Sequence, residues 1–316
     1  MNDSLFGIFD DVFISDFSVN EDGNKTVIEL GENGEYGNLE AYSLFPGVIL
    51  AYIDVNIDNV GDVFFEQKIN HRLLEINHCD EGRYSYAVND DKVVYFGKGD
   101  LCISVYDLTK SFSDFPVGYY KGLELFIDVD VANDYIGEYI PDFDLIEFYE
   151  DLKSFGGYVL IRANEKIDHV IGELYSVDER IKESYFKLKC LELLLFFSIT
   201  DFKRFDCYPL SRRQVDIVDR VKDDLICDLS VQITIDELAC KYGISKTGLK
   251  NSFKEVYGKP IFKWRKEFKL NYACKLIEDS DLSIGEISRR VGYSSPSKFS
   301  QAFKDYVGCS PSEYRG

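Results

Sequence analysis

Up to about Tyr135 the apolar residues come in short alternating or continuous runs: Val48–Ile53, Leu73–Ile76, Lys92–Phe96, Leu101–Val105 and Leu123–Ile127. Clusters that suit tight turns, such as Asn89-Asp90-Asp91 and Gly97-Lys98-Gly99-Asp100, separate them. Many short strands at this spacing predict a β-barrel or jelly roll. After Pro141 the period changes. Residues 142–153 and 164–175 read as short amphipathic helices. Residues 178–199 read as a longer one, carrying Ile181, Tyr185, Leu188, Leu191 and Leu195 together with Phe186, Cys190, Leu193 and Phe197. A helix apolar on so many sides must bury more than one face.

From Ser211 onward the chain reads as helix throughout, with clear punctuation. Thr234/Glu237, Ser283/Glu286 and Ser310/Glu313 have capping-box spacing, Pro260, Pro296 and Pro311 suit first helical positions, and Gly243, Gly258, Gly292 and Gly308 suit helix ends. Seven helices are predicted, at 212–229, 235–242, 246–257, 260–278, 284–291, 296–307 and 311–315. One pattern occurs twice: Ile235 to Ser245 followed by Lys246–Phe253, and Ile284 to Ser294 followed by Ser295–Phe303. Each copy has a small central residue (Ala239, Ser288), then a glycine eight positions after the opening Ile, then a second helix. The small residue lets two helices cross closely and the glycine supplies the turn, which is the arrangement of a helix-turn-helix. In such a unit the second helix enters the major groove by its N-terminal residues. The helix joining the two copies is rich in Lys263, Arg265, Lys266, Lys269 and Lys275, placed to meet phosphate.

The residues from Val215 to Arg315 resemble the AraC/XylS family of transcription regulators. The resemblance is carried by Leu238-Ala239, Ser245, Leu249, Phe253-Lys254, Gly258, Ala273, Lys275-Leu276-Ile277, Ile284, Glu286-Ile287, Val291-Gly292-Tyr293, Phe299, Phe303-Lys304, Gly308, Pro311 and Tyr314-Arg315. Three residues depart from the family pattern: Ser288 where Ala is usual, Lys298 where Tyr is common, and Pro296 where a polar base reader is frequent. By position, the resemblance implies that Lys246, Thr247, Lys250 and Asn251 of the first unit face the groove. In the second unit the corresponding residues are Ser297, Lys298 and Gln301, and Lys263 and Lys266 of the joining helix contact the backbone. The chemistry agrees: Lys suits guanine, Asn and Gln suit adenine, and Thr suits the thymine methyl. With serines and a proline where the first unit has stronger readers, the second unit is expected to lean on phosphate and shape. Leu249, Phe253, Phe299, Phe303 and Trp264 read as core.

Charge first argues against nucleic acid, since the 316 residues carry a net −20. The distribution reverses that. Residues 211–316 hold 19 Lys and Arg against 15 Asp and Glu, whereas the remainder holds 17 against 41. Only the C-terminal part approaches phosphate cheaply. The eight cysteines lack CxxC spacing and the three histidines do not cluster with other ligands. No metal, cofactor or enzymatic chemistry is therefore expected. The longest apolar run, Leu191–Ile199, is too short to span a bilayer, and the acidic start lacks a leader pattern, so a cytoplasmic protein is expected.

The expected fold class is α+β: a cupin-like β-rich sensor domain over 1–140, a helical linker or dimerisation region over 141–210, and a double helix-turn-helix domain over 211–316. Gly99-Asp100-Leu101 resembles the turn-plus-acid feature of cupin-like barrels. Glu75–Tyr84, Phe115–Gly122 and Lys187–Leu194 resemble the pyochelin-regulator-like branch of the family. That branch implies a small-molecule effector, an iron-siderophore or another metabolite, in an aromatic-lined barrel. Arg83, Tyr84, Tyr86, Tyr106 and Lys121 are the candidate ligand contacts. The remaining partners implied are promoter DNA, RNA polymerase and a second copy of the chain. The function expected is an activator under ligand control. The alternative is a ligand-independent regulator controlled by a protein partner or by its abundance.

Overall fold

The computed structural model describes residues 17–31, 34–56, 63–65, 72–89, 91–106, 111–205 and 209–315, which form two compact units, Met1–Leu210 and Ser211–Gly316. The first is sheet-rich with helices and the second is helical, an α+β chain as the hydrophobic pattern predicts.

In the first unit the strands are β1 (Phe17–Asp22), β2 (Lys25–Leu30), β3 (Gly37–Phe45), β4 (Val48–Asn56), β5 (Val63–Phe65), β6 (Leu73–Asn89), β7 (Lys92–Gly97), β8 (Leu101–Tyr106), β9 (Ser111–Asp114), β10 (Tyr119–Asp128) and β11 (Tyr158–Ile161). Antiparallel pairing runs β1-β2-β3-β4-β10-β6-β7. The long β6 belongs to two sheets. Its first half lies between β10 and β8, and its second half pairs with β7 and β9. The change falls at Gly82 (φ +81°), where a Cβ would come within 2.0 Å of the Tyr119 carbonyl oxygen.

Side chains alternate between two cores along β4, β6 and β10. Leu50, Leu74, Ile76, Leu123 and Leu125 join one core, and Ile49, Ala51, Leu73, Cys79, Tyr120 and Phe126 join the other. With both faces buried, these strands read as continuous apolar runs. The first core is closed by α1 (Val129–Tyr139), α2 (Leu145–Ser154), α3 (Glu165–Ile171) and α4 (Lys182–Ser198). The helices within 141–210 thus share one core with the sheet. Helix α1 lies in a stretch read largely as strand. It starts where the Asp128 side chain accepts from the Val131 N–H, and it buries Val129, Ala132 and Ile136 at helical spacing.

The core between the two sheets holds two carboxyls. The Asn77 side-chain amide donates to Glu124 Oε1 (2.6 Å) and to Glu75 Oε1 (3.4 Å), and Tyr120 donates to Asn77 Oδ1 (2.6 Å). Burial pushes Glu75 up to about 7, against hydrogen bonds from Asn77 and Ser104 that favour its charged form. Glu124 is raised further, by burial first and then by the charge of Glu75.

The second unit consists of α5 (Arg212–Cys227), α6 (Ile235–Tyr242), α7 (Lys246–Tyr257), α8 (Ile261–Asp279), α9 (Ile284–Arg290), α10 (Pro296–Val307) and α11 (Pro311–Arg315). All seven match the predicted helices to within two residues, because caps set their ends. The boxes at Thr234/Glu237, Ser283/Glu286 and Ser310/Glu313 form as spaced, and Ser211/Gln214 adds one more. Each contributes about 1 kcal/mol. Helix α8 packs Trp264 against Phe253, Tyr257 and Phe268, and Leu270, Ala273 and Ile277 against Ile287, Val291, Phe299 and Phe303.

Two predictions arise from these cores. Ser288 is fully buried at the helix crossing, and among the described residues its hydroxyl has no hydrogen-bond partner. Ser288→Ala is therefore expected to stabilise the second unit by about 1 kcal/mol in denaturant unfolding followed by Trp264 fluorescence; a loss of stability would show that the hydroxyl is paired in solution. For Glu75, the folded chain holds a proton that the unfolded chain releases near 4.5. The associated stability is fully present below about pH 4.5 and is lost as pH rises through about 7. Glu75→Gln should raise the melting temperature at about pH 8 and change it little at about pH 4; no gain at the higher pH would contradict a buried, protonated carboxyl.

Candidate nucleic-acid interface

The two helix pairs are built alike up to the turn. Helix α6 ends at Gly243 (φ +61°) and α9 is followed by Gly292 (φ +76°), each eight residues after the opening Ile. Ala239 and Ser288 are buried where the paired helices cross. Beyond the glycine they differ. Ser245 caps α7 by accepting from the Gly248 N–H, whereas α10 is capped by Ser295, not Ser294, with Pro296 in its first turn. The second turn is therefore one residue longer than the matched spacing suggests. Counted from the cap, Thr247 corresponds to Ser297, Gly248 to Lys298, Lys250 to Ser300 and Asn251 to Gln301. At the positions of Lys250 and Asn251, the second unit offers a hydroxyl and an amide that already donates to Asp305 (2.7 Å).

All nine predicted DNA-binding residues are exposed: Lys246, Thr247, Lys250 and Asn251 on α7, Ser297, Lys298 and Gln301 on α10, and Lys263 and Lys266 on α8. Leu249, Phe253, Phe299 and Phe303 are fully buried beneath them. Lys246 forms an ion pair with Asp236 of α6. Both are well exposed, so the pair is worth less than about 1 kcal/mol and yields readily to a phosphate. The basic stretch of α8 divides in two. Lys263, Lys266 and Lys275 are exposed, but Arg265 and Lys269 are buried. Arg265 is spent on structure: Nε donates to the Leu225 carbonyl (3.0 Å), and Nη2 donates to those of Asp228 (3.2 Å) and Val231 (2.8 Å). It thereby caps the end of α5.

Of the five candidate ligand contacts of the first unit, the four whose side chains are described lie in different surroundings. Tyr84 is buried against Phe96, Phe115 and Tyr120, and Tyr86 packs beside that core. Arg83 lies against Gly97, Lys121 is 4.0 Å from Asp54, and the Tyr106 side chain is outside the described residues. Asp100 is buried in the expected tight turn, accepting from the Gly97 and Ala163 N–H groups and from Arg162. A separate cavity of about 260 Å³ lies over Phe143, Phe148, Phe197 and Phe202, with Asp144 and Glu147 at its rim. None of these residues is among the sequence candidates, since 142–153 and 178–199 read as helices and Phe202 lies in the segment that follows them. His78 donates to or accepts from Tyr175 (2.9 Å), and His71 is outside the described residues. Among the described residues no group of His, Cys, Asp or Glu is arranged to hold a metal ion. No helix among them is long and apolar enough to cross a membrane.

Two helix-turn-helix pairs joined by one helix, with exposed polar first turns on α7 and α10, define a DNA-binding domain of the double-head type. A family model described as a helix-turn-helix domain matches residues 238–316. PqrA of Proteus vulgaris, a probable transcription factor, is 32% identical over 83 residues, 26% of this chain and 68% of its own. The Msm operon regulatory protein of Streptococcus mutans is 26% identical over 294 residues, 81% of this chain and 98% of its own. VirF of Yersinia enterocolitica, a virulence regulon transcriptional activator, is 33% identical over 81 residues, which are 26% of this chain and 30% of that protein. The chain belongs to the AraC/XylS family of transcription regulators.

Proposed function

We propose that this protein is a sequence-specific activator of transcription that reads promoter DNA with α7 and α10 and is controlled through its first unit. The observation that carries the reading is the pair of exposed polar first turns held on one shared helix. The S. mutans relative, named as an operon regulator, matches most of the chain, and VirF is named as an activator, which supports the same role here. The first head carries most of the base discrimination, because Lys250 and Asn251 face out where the second head has Ser300 and an occupied Gln301. RNA polymerase is the partner such an activator requires.

Control by a small molecule is supported by the 260 Å³ cavity of the first unit. Control by a protein partner or by abundance is the second reading, favoured by the dense packing of Tyr84, Phe96, Tyr120 and Phe126 between the sheets. The active form is a homodimer. Ile181, Leu188, Leu195 and Ile199 are each more than half exposed, and the first three recur every seven residues along α4. An antiparallel second copy centred on Leu188 sets Leu188 against its own counterpart and Ile181 against Leu195, an isologous apolar seam.

The test is recovery of genomic fragments by the purified full chain, then binding of Lys250→Ala and Lys298→Ala to base-substituted versions of those sites. Lys250→Ala is expected to cost about 1–3 kcal/mol of discrimination at one base, and Lys298→Ala to weaken all sequences alike. Equal loss of discrimination contradicts the ranking of the heads, and recovery of no enriched fragment contradicts sequence-specific binding. Leu188→Glu should convert the dimer to a monomer in sedimentation; a dimer that survives places the contact elsewhere.

A further inference from the structure

In the second unit, α8, the turn after α9 and the loop before α6 enclose a cleft of about 780 Å³. Four cations line it, Arg265, Lys266, Lys269 and Arg289, along with Ser230 and Gln232, and no carboxylate does. Arg265 is bonded to three carbonyls and Lys266 and Arg289 reach solvent. Lys269 is different. It is only 8% exposed overall, its ammonium opens to the cleft rather than being sealed in the core, and among the described residues it makes no side-chain hydrogen bond or ion pair. It packs so tightly on Gly292 that a Cβ there would come within 2.9 Å of Nζ.

The same chain shows how a buried lysine is ordinarily satisfied. Lys189 is as deeply buried, and its Nζ meets Glu173 (2.9 Å) and Glu192 (2.7 Å). A buried charge without such partners costs stability, and an apolar side chain of the same length would be more stable. Burial first and then the neighbouring Arg265 charge push the Lys269 ammonium below the usual lysine range, and the more weakly acting Asp228 carboxylate only partly offsets them. Repulsion of this kind is relieved by an anion. The cleft also borders the Gly292–Ser294 turn that leads into α10, and its Ser230–Gln232 wall leads into α6.

We propose that this cleft is a phosphate site between the two heads, in which Lys269, Lys266 and Arg289 hold a backbone phosphate of the bound DNA. Phosphate is the fitting chemistry because it supplies several acceptor oxygens to cations converging from α8 and α9. Lys269 makes no base contact: it fixes the register of the duplex across the heads while costing the free protein stability. The inference rests on the DNA-reading role proposed above.

The experiment compares wild type, Lys269→Met and Arg289→Gln in the full chain on one recovered duplex across a salt series, with melting temperatures measured without DNA. Each variant is expected to lower affinity about tenfold, equally for matched and base-substituted sites, and to reduce the slope of log affinity against log salt by about one. Lys269→Met is also expected to melt at or above the wild-type temperature when free. Unchanged slopes in both variants overturn the proposal, and so does a marked loss of melting temperature in Lys269→Met, which would mean the ammonium is satisfied in the free protein. Inorganic phosphate distinguishes the source: if it stabilises wild type but not Lys269→Met while the DNA slopes stay unchanged, the cleft takes free phosphate and the DNA assignment fails. If wild type itself selects no duplex, the role proposed in the preceding section fails first.

Discussion

Everything the second unit can do with DNA depends on the rigidity of α8. Its 19 residues make a rod about 28 Å long. The N-terminal part is fixed to the first helix pair through Trp264 and the three carbonyl bonds of Arg265. The C-terminal part is fixed to the second through Leu270, Ala273 and Ile277. Because both pairs are packed onto one helix, their separation and relative rotation follow from helix geometry rather than from a flexible tether. The close approach at Gly292 serves the same end: a Cβ there would meet the Leu229 carbonyl oxygen at 2.0 Å, so the second turn seats directly on the end of the first subdomain.

Within that frame the two heads are not equivalent. One extra residue in the second turn places the cap at Ser295 rather than Ser294, so α10 keeps the register of α7 counted from its cap while starting one residue later after α9 than α7 does after α6. The consequence is chemical rather than architectural. The scaffold positions Leu249 and Phe299 identically in the core, while the outward positions change from Lys and Asn to Ser and Gln. On the proposed reading, binding energy and sequence information are divided unequally between the heads. The acidic excess resides in the first unit, so long-range attraction to DNA comes from the second unit alone and is screened by salt.

The helical unit was legible in the sequence because its ends are written in local chemistry. Thr234, Ser283 and Ser310 each satisfy amides of the helix they start, and such signals need no knowledge of tertiary contacts. The apolar runs of the first unit located its strands for the same reason of period. What was not legible was non-local. Strand β6 was read only as Leu73–Ile76, because Asp80, Glu81 and Arg83 interrupt the apolar pattern where the strand passes from one sheet to the other. Helix α1 was hidden by the apolar run of β10 immediately before it. Arg265 and Lys269 looked like members of one solvated basic face; only packing separates them from Lys263 and Lys266. Tyr84 illustrates the opposite failure, since an aromatic that pairs with a ligand and one that fills a core look alike in sequence.

The central claim is that both heads engage one face of the duplex at a spacing fixed by α8. Its most direct measurement is a hydroxyl-radical and base-methylation footprint of the full chain on a recovered genomic site. Two protected major-groove patches on the same face, about one helical turn (about 34 Å) apart, are predicted. Protection of a single groove, or of two grooves on opposite faces, would contradict the account.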